Sequence, residues 1–226
     1  MDADHTIVAT FKIRNLYGTD QYGVMDEKVY ANGGIPISNT SSGIFRDVSV
    51  SSWYYPAVQY IYNVGLLEGL GGTHYYPDSE ASRGMIVTLL HNNEGAPSGN
   101  YNSGFRDVNY NSRYANAVNW AAAKGVVKGI TDTEFEPDSS VTREQLAAMM
   151  YRYASLAGKN VGNTSGYKVA AYSDAGRISP YARAAMNWAC NNGIIEGRTP
   201  TTLVPYGTTT RAEIAMIMMR FNQKMS

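Results

Sequence analysis

The sequence predicts a mainly α-helical protein of three helix-loop-helix repeats that follow a short N-terminal β segment. The first observation is internal duplication. Shifted by 60 residues, the chain is identical to itself at 15 of the 46 positions from 45 to 90, where about three matches would arise by chance. The second is a further copy 68 residues on, so that Gly-x3-Gly-x13-Arg occurs three times. The third is an apolar period of 3.6 residues inside each copy, which is typical of amphipathic helices.

The first 43 residues differ from the repeats. His5–Ile13 alternates polar and apolar residues as a strand does, and glycine and asparagine then interrupt the pattern. One strand cannot form a sheet alone. We therefore expect residues 1–43 to be the closing part of a β-repeat domain whose body lies upstream.

The first helix of each repeat is predicted at residues 54–64, 114–124 and 181–192, where apolar residues recur on one side. A glycine follows each of these helices, at Gly65, Gly125 and Gly193. Glycine adopts the left-handed conformation that commonly ends a helix. We therefore interpret the recurring glycines as helix ends.

The second helix of each repeat is predicted to begin after Ser82, Thr142 or Thr210, because these residues are good N-caps. Gln145 and Glu213 stand three residues after the two threonines, which completes a capping box. The first repeat has Met85 at that position, so its helix start is predicted to be less well organised.

The stretches between the repeats are rich in glycine, serine and asparagine, at residues 92–104 and 155–171. Such composition predicts surface linkers without regular structure. The predicted organisation is an N-terminal segment and three repeats, at residues 1–43, 44–91, 104–157 and 171–224.

Charge and hydropathy exclude several classes of function. Lysine and arginine number 19, as do aspartate and glutamate, so the net charge is zero. The chain therefore lacks the broad positive field of nucleic-acid-binding proteins. The longest apolar stretch, Ile214–Met219, is far shorter than the roughly 20 residues that cross a bilayer. We expect neither a nucleic-acid partner nor membrane insertion.

Residue types that carry metal or catalytic chemistry are sparse. Cys190 is the single cysteine and has apolar neighbours, and the three histidines lie far apart. No nucleophile elbow, zinc-protease motif or phosphate-binding loop occurs, and the acidic residues form no recurring pair suited to acid-base catalysis. We therefore expect no metal, no cofactor and no catalytic residue.

Three arginines occupy the first position of the second helices: Arg83, Arg143 and Arg211. A cation is unfavourable at this end of a helix dipole. One interpretation is an anion site, in which the guanidinium and unpaired backbone N–H groups bind a carboxylate or phosphate together. The alternative is that each arginine pairs with an acid of the repeat frame, such as Asp47, Asp107 or Asp174, and only joins helices.

Further candidates for ligand binding recur at equivalent positions. Asp47, Asp107 and Asp174 open the three repeats, where they can cap the local turn or accept sugar hydroxyls. Trp53 and Tyr181 stand at the start of first helices and can form the wall of a groove.

The full pattern resembles three tandem S-layer homology motifs over residues 45–224. The resemblance rests on Phe-Arg-Asp-Val at 45–48 and 105–108, the Gly-x3-Gly frame, Pro-Asp-Ser at 77–79 and 137–139, and Thr-Arg-Glu-Gln or Thr-Arg-Ala-Glu at 142–145 and 210–213. It implies a noncatalytic, monomeric module that anchors extracellular proteins to the bacterial cell wall or S-layer. It also implies a pseudo-trimer around a central three-helix bundle, with grooves between motifs for a secondary cell-wall polysaccharide, often pyruvylated.

The resemblance implies that Arg143 and Arg211 contact a carboxylate of the ligand. Departures from the family pattern favour unequal grooves. Ser82-Arg83-Gly84-Met85 replaces the full motif in the first repeat, and Arg113 stands where the other repeats have Trp53 or Tyr181. We expect the site of Arg83 to be the weakest of the three.

Two other functions fit parts of the pattern. A helical array that binds proteins would have an open, extended shape. A wall-degrading enzyme would need carboxylates that converge in a cavity.

Overall fold

The computed structural model describes residues 10–14, 20–24, 44–68, 70 and 72–225. The chain divides into two compact units, Met1–Ile44 and Phe45–Ser226. The described elements of the N-terminal unit are two strands, β1 (Thr10–Arg14) and β2 (Asp20–Val24). They pair antiparallel, with Thr10 opposite Val24 and Arg14 opposite Asp20.

This pairing corrects one expectation. The predicted strand was treated as lacking a partner within the chain, but β2 pairs with it. Tyr22 and Val24 are the only strong strand formers of β2, so its pattern was too short to identify. Residues 5–9 of the predicted strand lie outside the described residues.

The second unit is mainly helical and contains the three repeats. Its α-helices are α1 (Tyr55–Asn63), α2 (Arg83–Asn93), α3 (Ala115–Ala123), α4 (Arg143–Leu156), α5 (Arg183–Asn191) and α6 (Arg211–Lys224). Three short 3₁₀ helices precede α5: Val169–Ala171, Ala175–Arg177 and Pro180–Ala182. The predicted start of the third repeat's first helix was therefore wrong by two residues, because Pro180 and Tyr181 form a 3₁₀ turn.

The helix ends follow the sequence signals. Gly65, Gly125 and Gly193 adopt positive φ angles of 77°, 71° and 64° just after α1, α3 and α5. At the other end of the second helices, the Thr142 and Thr210 capping boxes are both formed. The predicted glycine helix ends and the two predicted capping boxes are confirmed.

Each first helix packs against the second helix of the preceding repeat. Thus α3 packs on α2 and α5 on α4, and α1 packs on α6, which closes the ring. The second helices α2, α4 and α6 form the central bundle. At their carboxyl ends, the Asn93 Nδ2 donates to the Tyr153 Oη over 2.9 Å, and the Asn222 Nδ2 donates to the Asn93 Oδ1 over 2.7 Å. The rings of Tyr153 and Phe221 lie 5.6 Å apart. The closed ring is the predicted pseudo-trimer and not an open solenoid.

The linkers are more ordered than their composition predicted. Side chains of the next first helix bind their backbone: the Asn187 Nδ2 donates to the Thr164 carbonyl over 2.9 Å, and the Asn119 Oδ1 accepts from the Ser103 amide over 3.0 Å. Val169 is buried inside a 3₁₀ turn. The prediction that residues 155–171 carry no regular structure was wrong, because asparagines outside the linker satisfy its backbone groups.

Candidate functional site

The start of each second helix is joined to the next repeat by backbone hydrogen bonds. The Arg143 amide donates to the Gly207 carbonyl and the Glu144 amide to the Pro205 carbonyl, both over 3.0 Å. The same two bonds join Arg83 and Gly84 to the second repeat, and Arg211 and Ala212 to the first. The third amide of each helix is bound by its Ser or Thr cap.

This arrangement corrects the interpretation of the helix starts as ready-made anion sites. That interpretation required unpaired N–H groups. The neighbouring repeat and the cap already use the first three amides of each helix. Any anion near these helices must therefore be bound by side chains.

The three arginines also contact the neighbouring repeat, through backbone carbonyls. The Nε of Arg83 donates to the carbonyl of Phe135 over 2.7 Å. The Nε of Arg143 donates to the carbonyl of Leu203 over 2.8 Å, and the Nε of Arg211 to the carbonyl of Tyr75 over 2.6 Å. The Nη2 of Arg83 and of Arg143 each donate to a second carbonyl, of Lys128 and Glu196. The alternative of ion pairs was wrong for Asp47, Asp107 and Asp174, although the arginines do join the repeats. Arg143 instead lies 3.7 Å from Glu213, another acid of the repeat frame.

Burial lowers the pKa of the Arg83 and Arg143 guanidinium groups from their ordinary value. Arginine nevertheless stays charged in proteins. The positive charges therefore remain at the junctions between repeats.

The three aspartates hold the loop that receives the arginine. The Asp174 carboxylate accepts from the amides of Leu203 and Val204 over 2.8 and 2.7 Å. Asp47 accepts in the same way from Tyr75 and Tyr76, and Asp107 from Phe135 and Glu136. Burial by itself would raise the pKa of Asp47 and Asp174, but the backbone amides bind the charged form, and the net effect lowers it.

Each aspartate stabilises a residue in an unfavourable backbone conformation. Tyr76, Glu136 and Val204 have φ angles of 56°, 57° and 56°, in the left-handed region. This region is unfavourable for a β-branched residue such as Val204. Because both oxygens of each aspartate are used by backbone amides, their geometry supports shaping of the loop. Contact of Asp47, Asp107 and Asp174 with ligand stays a prediction.

A groove forms where the third repeat meets the first and second. It is a cavity of about 360 Å³ whose lining residues include Trp53, Arg143, Glu196, Arg198, Glu213 and Arg220. Trp53 is 60% exposed, whereas Arg143 is 4% exposed. Two of the residues predicted from sequence, Trp53 and Arg143, thus line the same cavity. We call this cavity the Trp53 groove.

The Trp53 groove is crossed by ion pairs that the sequence did not reveal. Arg198 makes a bidentate pair with Glu213, with N to O distances of 2.9 and 2.8 Å. The Arg220 Nη2 lies 2.7 Å from the Glu196 Oε2. Arg198 directly follows the second glycine of the repeat frame. This position in the repeat frame could have identified Arg198, since the frame places it beside the start of α6, where Glu213 lies.

The other two junctions have different chemistry. Near Arg83, the Tyr181 Oη donates to the Glu144 Oε1 over 3.1 Å. Burial, and to a smaller extent the negative charge of Glu144, raises the pKa of Tyr181 to about 12. At the remaining junction, Arg113 occupies the position that corresponds to Trp53. Its guanidinium carbon lies 4.6 Å from the centre of the Tyr114 ring. The guanidinium of Arg211 lies 5.0 Å from the ring centre of Tyr75.

Neither a metal site nor a membrane span is found in the described part of the chain. Among these residues, no three of the histidine, cysteine, aspartate and glutamate side chains are placed to share a metal ion. None of the described helices has the length and apolar character needed to cross a bilayer.

Comparison with known proteins identifies relatives. The family model of the S-layer homology domain matches residues 44–84, 104–147 and 171–215. Exoglucanase XynX of Acetivibrio thermocellus is 29% identical over 206 residues, which cover 85% of this chain and 18% of that protein. The surface-layer 125 kDa protein of Lysinibacillus sphaericus is 26% identical over 175 residues, 76% of this chain and 14% of that protein. Amylopullulanase of Thermoanaerobacterium thermosulfurigenes is 26% identical over 220 residues, 91% and 11% respectively. The chain spans less than a fifth of the length of each of these relatives.

Proposed function

The chain belongs to the S-layer homology domain family, and on this basis we propose that it anchors a larger protein to the bacterial cell wall by binding a pyruvylated secondary cell-wall polysaccharide. Family membership and the surface-layer relatives point to the extracellular cell wall or S-layer surface. The proposed module is noncatalytic and monomeric. The enzymes among its relatives match over less than a fifth of their length.

The observation that carries the proposal is the meeting of Arg143 and Trp53 in one cavity. The Nε and Nη2 of Arg143 are bound by carbonyls, which fixes the plane of the guanidinium. Its Nη1 lies 3.7 Å from the Glu213 Oε1, beyond hydrogen-bond length. This nitrogen can therefore donate to the carboxylate of a pyruvyl group. Because the side chain is already immobilised, binding costs little conformational entropy.

Trp53 supplies the second part of the proposed site. Its exposed indole offers a flat apolar face at the edge of the cavity. Such a face suits the C–H surface of a sugar ring, and the ring's hydroxyls can still reach polar groups or water. We propose that the indole packs on the sugar that carries the acidic group, while Arg143 binds that group.

The charges of the Trp53 groove favour an anionic ligand. Three arginines and two glutamates line it, so one positive charge remains in excess. A single excess charge gives moderate sensitivity to salt, unlike the steep dependence of proteins that coat a polyanion. The proposal therefore includes no nucleic-acid partner and no insertion into membranes.

The remaining candidates belong to the related junctions. We propose that Arg211, Arg83 and Tyr181 contribute to weaker sugar sites there. Arg113 replaces an exposed aromatic at one junction, and the Tyr181 hydroxyl is bound to Glu144 at the other. We propose that Asp47, Asp107 and Asp174 act by holding the loops.

The test is retention of the protein by isolated Gram-positive cell walls, before and after mild acid removes the pyruvyl groups. We expect retention on native walls and loss of most of it after treatment. Equal retention on both preparations would exclude recognition of pyruvate, and absence of retention on every wall tested would exclude anchoring. Clearing of a wall suspension by the protein alone would show that the module is catalytic.

A further inference from the structure

A second cavity lies beside the segment Glu196–Arg198. It has a volume of about 490 Å³, and its lining residues include Lys168, Tyr172, Cys190, Glu196, Arg198 and Thr199. Glu196, Gly197 and Arg198 line both this cavity and the Trp53 groove. The two cavities are therefore neighbours with a common wall. We call the second one the Lys168 cavity.

Two polar side chains of the Lys168 cavity can donate further hydrogen bonds to a ligand. The Lys168 Nζ donates to the Asn191 carbonyl over 2.9 Å, and an ammonium has three N–H bonds. The Tyr172 Oη accepts from the Gly197 amide over 3.0 Å, so its own hydrogen can be donated elsewhere. The Cys190 thiol is buried, and burial raises its pKa to about 11, so it is neutral and contributes no anion.

The side of the cavity formed by the linker is held in place. Asn191 donates through its Nδ2 to the Ser165 carbonyl over 2.7 Å and to the Asn163 Oδ1 over 3.1 Å. The Trp188 Nε1 donates to the Asn160 carbonyl over 3.1 Å. These bonds fix the residues just before Lys168. The linker before the third repeat thus contributes Lys168 to the lining, and the third repeat itself supplies the other lining residues.

Both volumes fall within the range of about 300–1,000 Å³ that ligand cavities occupy. A polysaccharide that places one sugar in the Trp53 groove must continue away from it on at least one side. We propose that the Lys168 cavity is a second subsite, which binds the next sugar of the same polymer through its hydroxyl groups. This inference rests on the proposed function of the Trp53 groove. It assigns Lys168 as a ligand-binding residue and Tyr172 as a donor to the same sugar.

The feature is peculiar to the third repeat. At the positions that correspond to Lys168, six residues before the repeat's first aspartate, the first and second repeats have Ser41 and Tyr101. The proposed subsite therefore gives one junction a longer binding surface than the other two. Affinity at this junction should rise with the length of the glycan fragment.

The experiment compares fragments of two lengths by calorimetric titration. The ligands are a pyruvylated monosaccharide and a pyruvylated tetrasaccharide prepared from secondary cell-wall polysaccharide. We expect Lys168→Ala to bind the monosaccharide as the wild type does and to lose about five- to tenfold in affinity for the tetrasaccharide. Lys168→Arg should keep most of that affinity. Lys124→Ala, which removes an exposed lysine of the second repeat, is the control of equal charge change and should match the wild type.

The outcomes separate the inference from the proposed function. If Lys168→Ala binds both fragments as well as the wild type, or loses the same factor for both, the second subsite is wrong while the Trp53 groove stands. If the wild type binds the monosaccharide and tetrasaccharide with equal affinity, the inference is also wrong. If the wild type binds neither fragment and is not retained by native walls, the proposed function fails, and the inference with it.

Discussion

The side chain of Arg143 donates its Nε hydrogen to the carbonyl of Leu203 over 2.8 Å, across the junction between the second and third repeats. The amide of Leu203 donates to Asp174 over 2.8 Å. One residue of the loop is therefore held from both sides, by the aspartate of its own repeat and by the arginine of the preceding repeat. The same pairing occurs at Phe135 and Tyr75. The recurring Asp and Arg of the sequence thus form one device that closes the ring.

The first prediction concerns the stability supplied by Arg143. Arg143→Ala leaves two carbonyls of the third repeat without their donor, and the site is too buried for water to replace it fully. We expect the free energy of unfolding to fall by about 2–4 kcal/mol, measured by urea denaturation. Arg106→Ala removes an exposed arginine and should change it by less than about 0.5 kcal/mol. Equal stability of the two variants would mean that the arginine does not join the repeats.

The second prediction concerns acid. Asp47 and Asp174 have pKa values below their ordinary values. A carboxylate of this kind contributes stability that is complete above the unfolded pKa of about 3.9 and is lost as the pH falls through the folded pKa. We expect Asp174→Asn to be less stable than the wild type by about 1–2 kcal/mol at pH 6, since solvent screens part of the interaction. The difference should shrink below about pH 4. A difference that stays constant down to pH 2.5 would contradict this role of the charge.

The third prediction concerns the second glycine of the repeat frame. A Cβ at Gly197 would lie 2.4 Å from both the Thr199 carbonyl oxygen and the Tyr172 ring. We expect Gly197→Ala to lower the free energy of unfolding by about 1–3 kcal/mol, because backbone or ring must shift. Gly176→Ala is the matched control, since nothing lies within 4 Å of its Cβ position. Thermal unfolding of both variants provides the measurement, and equal melting temperatures would refute the steric explanation.

The sequence predicted what depends on local order along the chain. Thr142 with Gln145, and Gly125 after α3, are signals read within a few residues, and the structure has them as expected. The partners of the arginines could not be predicted, because Arg143 and Leu203 are separated by 60 residues and spacing does not say which repeat follows around the ring. The steric role of Gly197 could not be predicted for the same reason. Part of its constraint comes from the ring of Tyr172, which a local pattern does not show.

The candidate site was predicted in part. Repetition identified Arg143 and the position of Trp53, but not that they share a cavity with Arg198 and Arg220. Arg198 occurs in the third repeat alone, whereas Arg220 corresponds to Arg152 of the second repeat, and the first repeat has Leu70 and Asn92 at these positions. A search for features common to all copies therefore overlooks them. The differences between copies carry the information about which junction binds best.

The last prediction separates ligand binding from folding. The charged residues of the groove are all held in hydrogen bonds or ion pairs, so their substitution changes stability as well as binding. Trp53 is suited to a test, because its side chain is 60% exposed and its ring contacts the ring of Tyr54, with the ring centres 5.3 Å apart. We expect Trp53→Ala to lose at least about tenfold in affinity for the pyruvylated tetrasaccharide, as a sugar-packing face is removed.

Its free energy of unfolding should change by less than about 0.5 kcal/mol. The control is Tyr110→Ala, which removes an aromatic ring that is 84% exposed and is absent from the lining of the Trp53 groove. We expect this control to bind and unfold as the wild type does. Trp53→Phe should recover part of the affinity, because a smaller aromatic face remains for the sugar. Full affinity in Trp53→Ala would place the sugar elsewhere, since no ligand that fills this groove could avoid the loss of its exposed wall.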